Sequence, residues 1–437
     1  MKDIVITHGI RTPIAKMGGS LQHFREDELG AMVIQHLVTK QAQINPAEVN
    51  HVIMGQVKQS SNPSNLARVA ALRAGLPEQV TADTVHRQCG SGLQAIIDGY
   101  QMIACEEADT IVAGGAENMS RSVYFMRNTR QGLGSGNYTI EDSLTEGGPG
   151  SIPIAKYGNQ PMGVTAENLA DQYQISREEQ DLFAHHSQEK AAYAIKQGHF
   201  SEQIMPVEIP KGFPLEIPVG FPLAIPVGFP RGIPAGFPLE SNNRLFQTDE
   251  HPFLSSVEKL STLPAVFKKG GTVTAGNSSG RNDGAAAVLL MSGEKAKSLG
   301  FKPMVRIRAV AASGCDPLIM GISPVECTRL ALVRANLTLR DLDVIELNEA
   351  FAAQALAVIK EWQRWGIGEA ELLEKVNPNG GAIALGHPLG CTGTALTVKC
   401  MYELLRVPTH RYGLITLCCA GGVGVAVIIE KIGGANR

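Results

Sequence analysis

A chain of 437 residues, 44% hydrophobic and 19% charged, can bury one large or two ordinary cores and is too apolar for a disordered protein. Its net charge of −3 gives no basic field to recruit nucleic acid or anionic lipid, and no apolar run approaches the roughly 18 residues of a membrane span. Eight dispersed cysteines without a Cys-x-x-Cys pair are neither a disulfide framework nor a metal site, so reduced thiols, no metal and a cytoplasmic location are expected.

Met1-Lys2-Asp3-Ile4-Val5-Ile6 reads as immediate entry into a strand (Ile4–Thr7), not as a secretory leader. Amphipathic spacing predicts helices at Leu29–Lys40 and Leu66–Ala74, with a strand at His51–Met54 between them. A β-rich run from Val80 to Val85 then leads into His86-Arg87-Gln88-Cys89-Gly90-Ser91-Gly92. Beyond it Leu93, Ile96, Ile97, Tyr100 and Ile103 recur at helical spacing, which puts Cys89 at a helix N-terminus. Free backbone N–H groups and the helix dipole favour the thiolate there, the form that attacks carbonyl carbon. A lone thiol is more commonly an inert packing residue, so Cys89 by itself is only a candidate nucleophile.

A strand at Thr110–Ala113 precedes Gly114-Gly115, and a helix is expected at Arg177–Gln197. Residues 209–240 then repeat Ile-Pro-x-Gly-Phe-Pro-x-x four times. Proline at every fourth position excludes a continuous helix or a central strand and predicts an extended or turn-rich surface excursion. Long loops add little closure entropy, so deleting two units, Ile217 to Gly232, is expected to leave activity intact in a turnover assay. Loss of the oligomer on deletion would instead give the repeat an assembly role.

Gly271 to Gly280, followed by Asn282-Asp283-Gly284, is glycine-rich but lacks the Lys-Ser/Thr of a phosphate loop. Further strands are expected at Ala286–Met291, Val344–Glu346, Gly413–Leu417 and Val423–Glu430, with a helix at Cys327–Ala335. Asn348, after one strand, suits a helix cap or the orientation of a water. His387, between Gly386 and Pro388, suits a turn or the acceptance of a proton. Cys418 ends a strand ahead of a tight turn, a place for proton transfer beside an oxyanion site, while Cys419 faces the opposite side and packs. Alternating strands and helices give an α/β class. Val85 to Gly92 and Val376 to Gly393 both run from strand through glycines into helix, and Gly114-Gly115 has a counterpart in Gly421-Gly422, so a duplicated unit is expected.

Taken in order, these segments resemble the thiolase family over nearly the whole chain outside 209–240. The resemblance rests on Arg11-Thr12-Pro13, Cys89 to Gly92, Ala113 to Ser120, Met162 to Asn168, Gly271 to Gly284, Asn348 to Gln354, Gly380 to Gly393 and Cys418 to Gly424. It implies a duplicated core in five αβαβα layers with an inserted loop domain. The halves would be 1–119 with 251–300, and 301–437; the loop domain would be 120–250.

The resemblance also implies roles. Cys89 would be the nucleophile and acyl carrier, activated by His387, and Cys418 the general acid/base that deprotonates a second acetyl-CoA. His387, with a water held by Asn348, would form one oxyanion site, and the backbone N–H groups of Cys89 and Ala420 the other. Ser279, Met162, Ala350 and Phe351 would line the pantetheine channel. The implied reaction is the reversible condensation of two acetyl-CoA to acetoacetyl-CoA, with coenzyme A as substrate and product and a homodimer or homotetramer as the assembly. Alternatives are a degradative 3-ketoacyl-CoA thiolase and an acyl-CoA- or lipid-binding relative with impaired catalysis. A β-ketoacyl synthase would pair its cysteine with two histidines. The chain leaves the family pattern at His86 (asparagine in relatives), Ala420 (glycine), Pro161 (histidine in many short-chain members) and Phe253 (near the place of an arginine beside the coenzyme A phosphates).

Overall fold

The structure, a computed structural model, describes residues 3–210 and 244–432. Nearly all of the octapeptide repeat lies outside the described residues.

Nine strands carry the fold: β1 (Ile4–Arg11), β2 (His51–Gly55), β3 (Thr81–Val85), β4 (Thr110–Asn118), β5 (Asn282–Ser292), β6 (Val305–Gly314), β7 (Val344–Leu347), β8 (Tyr412–Cys419) and β9 (Val423–Lys431). With the two-residue strand Ala15–Lys16 added on β5, they form one sheet ordered β7-β8-β9-β6-β1-β5-β4-β2-β3. Its two halves repeat one plan. In the first, β1–β5 and β5–β4 are antiparallel and β4–β2 and β2–β3 parallel. In the second, β6–β9 and β9–β8 are antiparallel and β8–β7 parallel. The counterpart of β3 has shrunk to Val376, bridged in parallel to Ile345 on β7. The halves join through an antiparallel contact of Val5 with Arg306 and Ile6 with Val305.

The longer helices are α1 (Glu26–Gln35), α2 (Leu66–Arg73), α3 (Ser91–Ala104), α4 (Met162–Tyr173), α5 (Arg177–Lys196), α6 (Ser323–Ala335), α7 (Ala352–Gln363) and α8 (Leu389–Arg406). Their layering follows from strands that are apolar on both faces. Val52, Met54, Val112 and Leu289 point to an outer core with Leu29, Ile34, Leu66 and Ala70 of α1 and α2. Their neighbours Ile53, Ile111 and Leu290 point the other way, onto α3 and α8, which share a central core with Ile415 and Val427 of the second half. Leu414 and Ile428 face a third core with Ala331 of α6 and Trp362 of α7. Helix, sheet, helix, sheet and helix are thus stacked in the five expected layers.

Two details differ from expectation. Strand β6, which joins the halves, went unpredicted although its alternation of apolar and basic residues, Val305-Arg306-Ile307-Arg308, is visible in the chain. Gly114 and Gly115 lie inside β4, whereas Gly421 and Gly422 form a turn at φ of 91° and 81°, so the strands correspond but these glycine pairs do not.

The chain leaves the core after β4 and returns at β5. On the way it forms α4, α5 and a hairpin of Val207–Ile209 with Arg244–Phe246. The return limb is anchored at Asp249, whose carboxylate takes a bidentate pair from the buried Arg11 guanidinium at 2.7 and 2.9 Å. This geometry keeps a buried charge paired.

Candidate active site

Cys89 sits on the turn between β3 and α3. Gln88 adopts a left-handed φ of 48°, and the Ser91 hydroxyl closes the turn by accepting from Arg87 N (2.8 Å) and donating to Gln88 O (2.6 Å). The turn is set against α8 by glycines. A Cβ on Gly92 would stand 2.7 Å from Gly390 O, and one on Gly393 would stand 2.3 Å from Leu93 N. The N-termini of α3 and α8 therefore cross backbone to backbone, and Thr394 Oγ1 donates across the crossing to Gly92 O at 3.0 Å. Because His387 immediately precedes α8, this crossing fixes it relative to Cys89. Overpacking the crossing with Gly393→Ala is expected to lower unfolding stability by about 1–3 kcal/mol, read by chemical denaturation.

His387 is buried and follows the short helix Ala382–Leu385, which ends at Gly386 with φ of 97°. Its backbone N–H donates to Asn282 Oδ1 (2.9 Å), and its Nδ1 lies 2.7 Å from Thr392 Oγ1. With the Thr392 hydroxyl hydrogen assigned to Pro388 O (3.1 Å), Nδ1 is the donor of the pair. That leaves Nε2 unprotonated, 3.5 Å from Asn348 Nδ2. Burial pushes the imidazole pKa down to about 4. His387 is a neutral base with its lone pair in the site.

Asn348 extends the β7 ladder, its N–H donating to Thr416 O at 3.0 Å. Helix α7 begins four residues later with Phe351 as its cap, so Asn348 is not the cap. Its side chain is fully buried, and its Oδ1 has no hydrogen-bond partner among the described residues. Glu349 holds the neighbouring loop, accepting from Ser187 Oγ (2.7 Å), Asn377 Nδ2 (2.7 Å) and Ile383 N (3.2 Å).

Cys418 and Cys419 end β8 on opposite faces. Cys419 packs in the central core, whereas Cys418 joins an apolar cluster with Ala350, Phe351, Ala166, Val273 and the partly buried Met162. Ser279 lies alongside, its N–H donating to Ala350 O at 3.0 Å. Three of the four positions expected to line one channel thus share a cluster with Cys418, and the fourth, Ser279, is tied to Ala350. In the turn that follows, the left-handed residues are Gly421 and Gly422; Ala420 keeps an ordinary φ, so alanine there is unstrained.

The backbone N–H groups of Cys89 itself and of Ala420 both favour the Cys89 thiolate. Burial nevertheless outweighs both and pushes the thiol up to about 11, with the Glu117 charge acting in the same direction and Lys58 against it. This corrects the expected resting thiolate. Helix α3 starts two residues beyond Cys89, and its terminus does not offset desolvation. Burial also drives Cys418 well above the ordinary thiol range.

Of the four departures, Ala420 is buried beside Cys89, whereas His86 and Pro161 are exposed and Phe253 is 74% exposed. The support of the site was not read from the chain. Glu117, buried on β4, accepts from Val57 N, Lys58 N and Gly390 N at 2.8–3.0 Å and so pins α8. A carboxylate within an otherwise apolar strand was its available signal. Among the described residues no His/Cys/Asp/Glu group is arranged to hold a metal ion.

Residues 4–214 and 224–294 match the sequence model of the thiolase N-terminal domain, and 301–431 match that of the thiolase C-terminal domain. The chain belongs to the thiolase family. Relatives of this thiolase include an acetyl-CoA acetyltransferase of Pseudomonas aeruginosa, 44% identical over 432 residues (99% of this chain, 100% of that one). A probable acetyl-CoA acyltransferase of Staphylococcus epidermidis is 43% identical over 434 residues, 99% of each chain. Among solved structures, the Bacillus anthracis acetyl-CoA acetyltransferase superposes with a TM-score of 0.87 at 40% identity, covering 99% of both chains. Human mitochondrial 3-ketoacyl-CoA thiolase superposes with 0.86 at 37% identity, again over 99% of both.

Proposed function

We propose that this thiolase is an acetyl-CoA C-acetyltransferase that joins two acetyl-CoA into acetoacetyl-CoA and coenzyme A through an acyl-Cys89 intermediate, and runs the same steps in reverse. The observation that supports the reading is the half-buried Cys89 thiol beside the Ala420 N–H and the Cys418 thiol, with the buried His387–Asn348 pair on the loop that leads into α8. Full-length relatives bearing the acetyl-CoA acetyltransferase name support it.

As Cys89 sulfur bonds to the thioester carbonyl carbon, its proton passes to His387 Nε2. The tetrahedral oxyanion is met by preorganised donors, commonly the largest single term in such catalysis. Collapse breaks the carbon–sulfur bond to coenzyme A, whose thiolate takes the proton from His387. Cys418 next gives its thiol proton to the neutral His387 and, as thiolate, removes an α-proton from a second acetyl-CoA. The resulting carbanion attacks the acyl-Cys89 carbonyl and expels the Cys89 thiolate, which takes the proton back from His387. Splitting the exchange at a covalent intermediate replaces one hard step with two easier ones. At rest both thiols are protonated and His387 is neutral, the state from which thiolysis starts with Cys418 as acid.

Ser279, Met162, Ala350 and Phe351 are proposed as the pantetheine wall. We assign 1–119 with 251–300 and 301–437 to the two halves and 120–250 to the loop domain. No described helix is long and apolar enough to cross a membrane, and all eight cysteines are free thiols, which supports a cytoplasmic protein. Strand β3 is a sheet edge with Thr81 and Asp83 exposed, a surface suited to pairing with a second copy in a homodimer or dimer of dimers.

The test is thiolysis of acetoacetyl-CoA beside a series of longer 3-ketoacyl-CoAs. Fastest turnover on the four-carbon substrate is expected. A preference for longer chains would make the protein a degradative thiolase, and no turnover by folded protein would leave only an acyl-CoA-binding role.

A further inference from the structure

Asp249-Glu250-His251 is the first stretch after the return hairpin, and each of the three side chains grips a different part of the core. Asp249 holds Arg11 and accepts from Ile14 N at 2.8 Å. Glu250 accepts from Ser20 N (3.1 Å) and Ser20 Oγ (3.0 Å). His251 reaches the His387 loop. Its Nδ1 lies 3.2 Å from Asn282 Nδ2, and its ring also hydrogen-bonds the backbone carbonyl of Ile383.

The Asn282 amide is fully committed, which settles its orientation. Oδ1 accepts from His387 N at 2.9 Å, so Nδ2 supplies the remaining bonds, to Ala15 O (2.9 Å) and to His251 Nδ1. Nδ1 must then be the acceptor and Nε2 the protonated nitrogen that donates to Ile383 O. Burial favours this neutral ring by lowering its pKa. There is no slack around the contact: a Cβ on Gly386 would stand 2.5 Å from Asn282 Cγ, and one on Gly280 would stand 2.1 Å from His251 Cε1. Ile383 in turn donates to Glu349, next to Asn348.

We infer that His251 is a positioning residue for acyl transfer: through Asn282 and Ile383 it fixes the loop that aims His387 at Cys89, and so ties the return limb of the inserted segment to the catalytic base. The inference rests on the acyl-transfer reading above. It goes beyond it in giving a residue far along the chain from Cys89, His387 and Cys418 a share in their geometry. Small displacements of a reacting group are costly, a misplacement of about 1 Å reaching 100-fold in rate.

The experiment uses full-length protein and acetoacetyl-CoA thiolysis, with His387→Ala as reference and thermal unfolding to confirm folding. His251→Leu, which lacks both contacts, is expected to lower kcat about tenfold with KM unchanged. His251→Asn, whose Oδ1 stands where Nδ1 stood, keeps the acceptor for Asn282 and retains most of kcat. His251→Gln, which keeps only a donor near Nε2, falls below it. In an Asn282→Ala background, His251→Leu should add little further loss, the non-additivity of residues acting through one contact. Unchanged kcat in His251→Leu, or a full tenfold loss persisting in the Asn282→Ala background, overturns the inference. Should the leucine variant fail to fold, the order of the asparagine and glutamine variants decides. Absence of turnover by folded wild-type protein would instead refute the acyl-transfer reading itself, and undiminished transfer by His387→Ala would remove the base that His251 is inferred to position.

Discussion

Cys89→Ala is expected to abolish both condensation and thiolysis, with kcat falling by roughly 10⁴-fold or more, because Cys418, the other thiol of the site, lacks a comparable set of backbone donors for an acyl carrier. Cys419 is close, but it faces the central core beside Gly90 and is enclosed there. Cys418→Ala should lose overall turnover to a similar degree while still accepting an acetyl group from acetyl-CoA, because the first half-reaction does not use Cys418. The two variants are therefore separated by mass spectrometry of the protein after incubation with acetyl-CoA. Acetylation on Cys89 should accumulate in Cys418→Ala and be missing from Cys89→Ala. Acetylation of Cys418 in the Cys89→Ala protein would reverse the assigned roles.

The separation of roles follows from where the two thiols stand. Cys89 lies on a turn where its own N–H and that of Ala420 favour the thiolate, the environment of an atom that bonds to a carbonyl carbon. Cys418 lies among Ala350, Phe351 and Val273, with no comparable set of donors, where a proton can be exchanged but an oxyanion is poorly served. Burial keeps both protonated. On the proposed mechanism, attack by Cys89 is therefore expected to be concerted with proton transfer to His387 rather than preceded by a standing ion pair.

Local pattern made much of this fold legible. The strands His51–Gly55, Thr110–Asn118 and Asn282–Ser292 are buried along their whole length and carry apolar runs such as Val52–Met54 and Ala285–Met291 because both of their faces are covered. The turn at Cys89 and the turn at His387 were visible as glycine-rich links from strand to helix. What the chain did not show was the balance of effects at Cys89. A helix start argues for thiolate, and only the packed structure reveals that desolvation is larger. Nor did it show Glu117, Thr392, Asn282 and Glu349 as the scaffold of the site. Glu117, Asn282 and Glu349 are ordinary polar residues with partners far away in sequence, Gly390 for Glu117 being an example, while Thr392 meets His387 across one turn at the start of α8. The long-range contacts arise from the packing of separate elements, which periodicity along one segment cannot encode.

His387→Gln should combine a catalytic defect with a diagnostic change in acid stability. Loss of the proton acceptor is expected to slow acyl transfer by about 10²- to 10⁴-fold. The stability effect has a definite sign. The imidazole pKa is about 4 in the folded protein against 6.5 for the free side chain. Between those values the unfolded chain binds the extra proton, so the contribution of His387 to stability is complete above pH 6.5 and is lost as pH falls toward 4. The shift corresponds to about 3 kcal/mol. Glu26, raised to about 7, and Asp283, raised to about 6, work in the opposite direction because the folded state holds their protons more tightly. Both carboxyls are common to the two proteins, so the difference between wild type and His387→Gln isolates the histidine. Urea unfolding at neutral pH and near pH 4.5 should show the wild type losing more stability than the variant. Equal losses would mean that His387 is not held neutral by burial, and the proton acceptor assigned to Cys89 would have to be sought elsewhere in the site.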